Sequence, residues 1–175
     1  SDVPIKVNLI YTNLGNTGFL GRTIPNFERD FIDAPVDSVW YQTCLANSIA
    51  GIELNVGEFD MDIYMNSAVN YYFGTDGNPP SDQFDFASVL LHEIIHGLGG
   101  VSLEKTEGNI GSFGTITLED LAPIVPSWGW AAGDTLAGLP SIWDKFLVLG
   151  NGEYLTNTMD FPNPSIELGA AFVSN

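Results

Sequence analysis

His92 and His96 stand four residues apart, with Glu93 beside the first, in the run Leu90-Leu91-His92-Glu93-Ile94-Ile95-His96. On an α-helix, residues i and i+4 share a face, so both imidazoles can reach one divalent ion. The adjacent carboxylate can then take a proton from water on that ion. Zinc held by imidazole lowers the pKa of its water toward neutrality and polarises a carbonyl, which suits amide hydrolysis. These are the only two histidines of the chain. They lie in a strongly apolar segment, where ionisable groups are expensive unless paired or bound to metal. A chance match on a buried helix would leave three polar groups needing other partners. The spacing therefore predicts zinc ligands at His92 and His96 and a general base at Glu93.

The elements that must position them are legible in outline. Asp85 is a cap for the helix that starts at Phe86, and glycines 97, 99 and 100 end it. This helix is apolar nearly all round, so it is expected to be central and buried. Val3–Tyr11 reads as a strand, as does the alternating Asp60–Asn66, which is half buried and placed at a sheet edge. Asn13–Gly21 reads as loop. Asp37 is expected to cap a helix through Val39, Trp40, Leu45 and Ile49 that Gly51 stops. Gly74–Asp85 is irregular; its Asp76, Asn78 and Asp82 either hold calcium or bond their own backbone as turn residues. The remainder from Val101 reads as irregular structure around short elements, with a short helix at Trp143–Leu149. No repeat or low-complexity linker divides the chain, which predicts one domain over 1–175.

A length of 175 residues with 45% hydrophobic content suffices for a substantial core and excludes a disordered tail. No apolar run approaches the roughly 20 residues that span a bilayer. The net charge of -17 repels nucleic acid and anionic membranes. Cys44, the single cysteine, excludes an internal disulfide and a thiolate zinc cluster, and reads as a buried core thiol. Metal chemistry here must use imidazole and oxygen. The start at Ser1, without Met or a signal-peptide pattern, reads as a processed or excised piece of a precursor.

The stretch His92-Glu93-Ile94-Ile95-His96-Gly97-Leu98-Gly99 resembles the metzincin clan of zinc peptidases, which places a Gly three residues after the second His. Metzincins supply a third His three residues later; here that position is Ser102. A closer resemblance is to a family of poorly characterised secreted bacterial zincins. It is carried by Trp40-Tyr41 through Leu45-Ala46-Asn47 to Gly51, by Tyr71-Tyr72-Phe73-Gly74-Thr75-Asp76-Gly77, by the helix segment, and by Pro140-Ser141-Ile142-Trp143-Asp144. The resemblance implies an α+β, zincin-like fold: a small twisted sheet over the active-site helix, with an irregular C-terminal part. It also implies a secreted, monomeric metallopeptidase acting on peptide or protein substrates. Chains of this family begin with a strand and a helix before the segment matching Ser1, and continue past the one matching Ile166–Asn175. The third ligand is then expected to lie outside this chain.

Within the chain, a third ligand must be an oxygen donor. Asp144 is the first candidate, since a carboxylate among Ile142, Trp143 and Phe146 needs a partner; a helix cap or an ion pair with Lys145 or an Arg is the commoner way to satisfy it. Glu104, Glu107, Glu119 and Asp120 read as solvated charges, and Ser102 as a weak ligand. Met159 fits either the methionine that metzincins place beneath the zinc or a core gap filler. In zincins, the edge strand above the helix pairs with an extended substrate, and Asp60–Asn66 is assigned that part. Two other function classes compete with zinc peptidase: a degenerate zincin that binds metal or ligand without turnover, and a carbohydrate-binding domain using Trp128 and Trp130.

Overall fold

The structure, a computed structural model, describes residues 2–16, 18–116 and 136–174. The described chain is mixed α+β, with short sheets and three α-helices among the described residues. It divides into two compact units, Ser1–Ala34 with Gln42–Gly100, and Pro35–Tyr41 with Val101–Asn175. Each unit is discontinuous in sequence, so no single linker marks the division.

In the first unit, strands β1 (Val7–Thr12), β2 (Gly21–Pro25) and β5 (Met61–Asn66) form a sheet of order β1-β5-β2. β1 runs parallel to β5, and β2 runs antiparallel to it. Met61–Asn66 is thus the central strand, not the expected edge, and β2 takes the edge position. Alternation puts Met61, Ile63 and Met65 on one face, where they are at most 1% exposed. Burying each contributes roughly 1.5–3 kcal/mol. Asp62, on the opposite face, accepts a 2.7 Å hydrogen bond from Asn8 Nδ2 of β1.

Helix α1 (Thr43–Ala50) is shorter than expected. Asp37 caps nothing there, because Ser38 adopts a left-handed φ of 59° and the chain runs on through the short strand β4 (Tyr41–Gln42). Gly51 ends α1 with φ 70°, as expected. Cys44 is buried, with its Sγ donating to the Gly97 carbonyl, and burial pushes the thiol up to about 11. That is a core thiol, as its apolar setting suggests.

The remaining pieces of this unit are β3 (Phe27–Glu28), the parallel pair β6 (Tyr71–Tyr72) and β7 (Phe84–Asp85), and helix α2 (Phe86–Leu98). Phe86, Val89, Leu90 and Ile94 of α2 pack against the core cluster of Cys44, Met61, Ile63, Met65 and Tyr71. The expected burial on all sides is not found: Leu91, Ile95 and Leu98 are 59%, 50% and 42% exposed. The inward face of β1 is likewise open at Val7, Leu9 and Tyr11. The reason is that α2 packs chiefly on β2 and β5.

The second unit holds the hairpin β8 (Glu104–Glu107) and β9 (Ile110–Phe113), a 3-10 turn at Trp143–Phe146, and helix α3 (Ile166–Val173). The 3-10 turn stands where a longer helix was expected. Neither the hairpin nor α3 is evident from periodicity. Ser165 caps α3 by accepting from Leu168 N. Gly111 and Gly169 let α3 sit directly on β9, since a Cβ at Gly111 would stand 2.4 Å from Gly169 N. Phe113, Leu155, Phe161, Leu168 and Ala171 form this unit's core.

Candidate metal and catalytic site

The cap of α2 is as expected: Asp85 accepts a 2.9 Å bond from Ser88 N. The helix then carries His92 and His96 on one side. Their rings meet edge to face, with centroids 4.7 Å apart, and the two Nε2 atoms are 3.1 Å from one another. His96 Nδ1 lies 2.8 Å from the Gly100 carbonyl, an acceptor, so the neutral ring keeps its proton on Nδ1. That leaves the Nε2 lone pair directed toward His92. Such an outer hydrogen bond is how proteins orient a metal-binding imidazole. The pair fits two ligands of one ion. Among the described residues, no third His, Cys, Asp or Glu joins them in a metal-sized group.

The helix ends where the motif requires. Gly99 takes φ 138°, a conformation that side-chain-bearing residues rarely adopt, and turns the chain toward Gly100. Gly97 is needed for a different reason: a Cβ there would stand 2.1 Å from Met61 Sδ. The absence of a side chain lets α2 lie close against β5.

Glu93 is only 6% exposed and faces β2. Thr23 Oγ1 lies 3.0 Å from its Oε2 and 2.7 Å from its backbone carbonyl. Arg22 feels the Glu93 charge; burial pulls its pKa below the usual value, and that charge opposes the change. Gly18, Phe19, Leu20 and Gly21 on one side, and Ser88, Val89, His92 and Glu93 on the other, line a cleft of about 430 Å³. The Tyr71 hydroxyl donates to the Leu20 carbonyl at 2.5 Å. Burial foremost, then the charges of Tyr11 and Glu93, raises this phenol to about 12, so it stays a donor at neutral pH.

Spacing does not reveal Gly21, Arg22, Thr23 or Tyr71. Arg22-Thr23-Ile24 is too short a run to show alternation, and the stretch before it reads as loop. Only the Tyr71-Tyr72-Phe73 segment was singled out, by resemblance.

Asp144 is fully buried, in the second unit. Its Oδ1 accepts from Ser102 Oγ at 2.6 Å, and its Oδ2 from Leu103 N at 3.1 Å and Ser141 N at 2.7 Å. The cap reading fits these contacts: three donors answer the buried carboxylate with no ion required. The Ser102 hydroxyl is committed to the same arrangement and accepts from Glu104 N. Glu104 and Glu107 are exposed, as expected. Met159 is 87% exposed, so it fills no core gap. Asp76 Oδ1 accepts from Tyr72 Oη and Asn78 N, which is the backbone-bonding turn rather than a cage of free oxygens. Glu119, Asp120, Trp128 and Trp130 lie outside the described residues.

Burial raises the Asp144 pKa, the three donors notwithstanding. A raised folded-state value means that the fold favours the protonated form. That stability is present at acid pH and is lost as pH rises through the folded pKa. The stability of the native chain relative to Asp144→Asn should therefore fall as pH rises above the ordinary carboxyl pKa of about 4. Denaturant melts at several pH values check this. Asp144→Ala, which orphans three donors, should cost about 1–3 kcal/mol at acid pH, and less as pH rises through the same range. Zinc affinity should be unchanged in Asp144→Asn; a tenfold loss would make Asp144 a ligand.

A model of the SPBPB7E8-like family matches residues 21–108, about half of the chain, from β2 through α2 to β8. No curated protein and no solved structure matches the chain.

Proposed function

We propose that this chain, which belongs to the SPBPB7E8-like family, is the catalytic part of a zincin-type, zinc-dependent endopeptidase. His92 and His96 would hold the metal, and Glu93 would act as general base. The observation that carries the reading is the convergence of the two imidazole Nε2 atoms, 3.1 Å apart, one residue from a buried carboxylate on a cleft wall. When bound, zinc would supply a water of lowered pKa and polarise the scissile carbonyl. Glu93 would take the proton of that water and return it to the leaving amine. The edge strand β2 would pair with an extended peptide, and Phe19, Leu20 and Val89 would receive an apolar side chain. The proposal keeps a secreted, monomeric enzyme without nucleic-acid or membrane partners. No helix among the described residues is long and apolar enough to cross a membrane.

A metal- or ligand-binding module without turnover is the second reading. Ser102 favours it: it stands where metzincins carry the third His, and its hydroxyl is bonded to Asp144. Retention of Glu93 favours the enzyme, because only the water needs that carboxylate. Zinc titration against a competing chelator, run alongside cleavage of a mixed peptide library, separates them. The peptidase reading expects one zinc per chain, lost in His96→Ala, and cleavage that depends on it. Tight zinc with no cleavage would leave the binding module; no zinc at all would sink both for this chain.

A further inference from the structure

We infer that Thr23 is the positioning residue for Glu93, a role that rests on the peptidase reading above. β2 alternates, and its inward positions are cut to fit one side chain of α2. At Gly21 a Cβ would stand 2.9 Å from Glu93 Cγ and 3.1 Å from its Oε1, so any other residue would push the carboxylate from this place. Two residues on, Thr23 aims its hydroxyl at the same residue, 2.7 Å from the Glu93 carbonyl oxygen and 3.0 Å from Oε2. Among the described residues, Thr23 is the hydrogen-bond donor to that carboxylate. A glutamate only 6% exposed requires such a donor.

The hydroxyl is well placed to be rigid. Thr23 pairs with Ile63, a fully buried residue of the central strand, and a β-branched side chain has little χ1 freedom. One proton faces two acceptors, so it can serve the carboxylate or turn to the carbonyl. When Glu93 has taken a proton, the acid can donate to the same oxygen while Thr23 bonds the carbonyl. The partner is kept through both states, and the side chain stays on the cleft wall beside His92. The Thr23 side chain touches neither metal ligand nor substrate in this scheme; it acts through Glu93.

The test uses the zinc-loaded 175-residue chain and its Thr23→Val and Thr23→Ser variants. Valine keeps the shape and removes the hydroxyl; serine keeps the hydroxyl. Thr23→Val should lower kcat roughly 10- to 100-fold through misplacement of the base, with KM and zinc affinity unchanged. Thr23→Ser should stay close to the native rate. Independently of activity, the Glu93 side-chain carboxyl carbon, assigned in NMR by its loss in Glu93→Gln, should shift in Thr23→Val and hold in Thr23→Ser. An unmoved resonance in Thr23→Val, or equal loss of kcat in both variants, overturns the inference. If the resonance responds as expected but no variant, nor the native chain, hydrolyses peptide, the contact stands while the positioning role falls together with the peptidase reading.

Discussion

Glu93→Gln should abolish peptide hydrolysis while zinc remains bound. Glutamine has the shape of glutamate but cannot accept a proton at neutral pH, so the general-base contribution is lost, a fall of about 10²–10⁴ in kcat. The fold should tolerate the change. The amide occupies the same space beside Gly21, and its oxygen can still accept from Thr23, which now stands 3.0 Å from Oε2. Removing a charge from a residue 6% exposed carries no desolvation cost, so the thermal midpoint should hold or rise. Steady-state kinetics, metal analysis and a melt on one preparation decide it. Cleavage at the native rate would remove Glu93 from the mechanism, and lost zinc would mean the carboxylate supports the ligands as well.

Asn66→Ala should produce the largest loss of stability expected here. Asn66 ends the central strand and is 2% exposed, and its amide is used at every position. Nδ2 donates to the carbonyls of Gly15 and Phe19 at 3.2 and 3.0 Å. Oδ1 accepts from Leu14 N at 3.0 Å and Ala68 N at 3.1 Å. Losing four neutral hydrogen bonds at about 0.5–1.5 kcal/mol each removes about 2–4 kcal/mol, allowing for some repair by water. Three of the four partners are backbone groups of the segment that leads to Phe19 and Leu20, so the cleft wall loosens with the fold. A chemical melt should show the loss, and substrate KM should rise more than kcat falls. An unchanged melt would mean that the segment is held by the Tyr71–Leu20 bond and the Asn66 backbone instead.

Residues close in sequence were the readable part of this molecule. The imidazole pair, the Asp85 cap, the Gly51 and Gly99 stops and the strand at 61–66 all follow from helical or strand periods and local backbone sterics. Asp37 caps no helix because its capping signal is equally at home in a turn, and the left-handed Ser38 takes the chain away from helix before α1. The apolar stretch of α2 predicted burial on every side. Hydrophobicity says what a helix can bury, whereas the number of layers around it is a property of the packing.

The sequence by itself thus determined the chemistry on offer: two imidazoles and a carboxylate on one apolar helix, with no thiolate alternative. Tertiary structure decided what surrounds them. Sheet order β1-β5-β2 put the antiparallel β2 at the edge and brought Thr23 and Gly21 to Glu93 across 70 residues of chain. It also gave the Asp144 carboxylate three donors, two of them from residues about 40 positions away. Such pairings carry no periodic signature. They depend on strand register and on close approach at glycine, which arise only when distant segments pack.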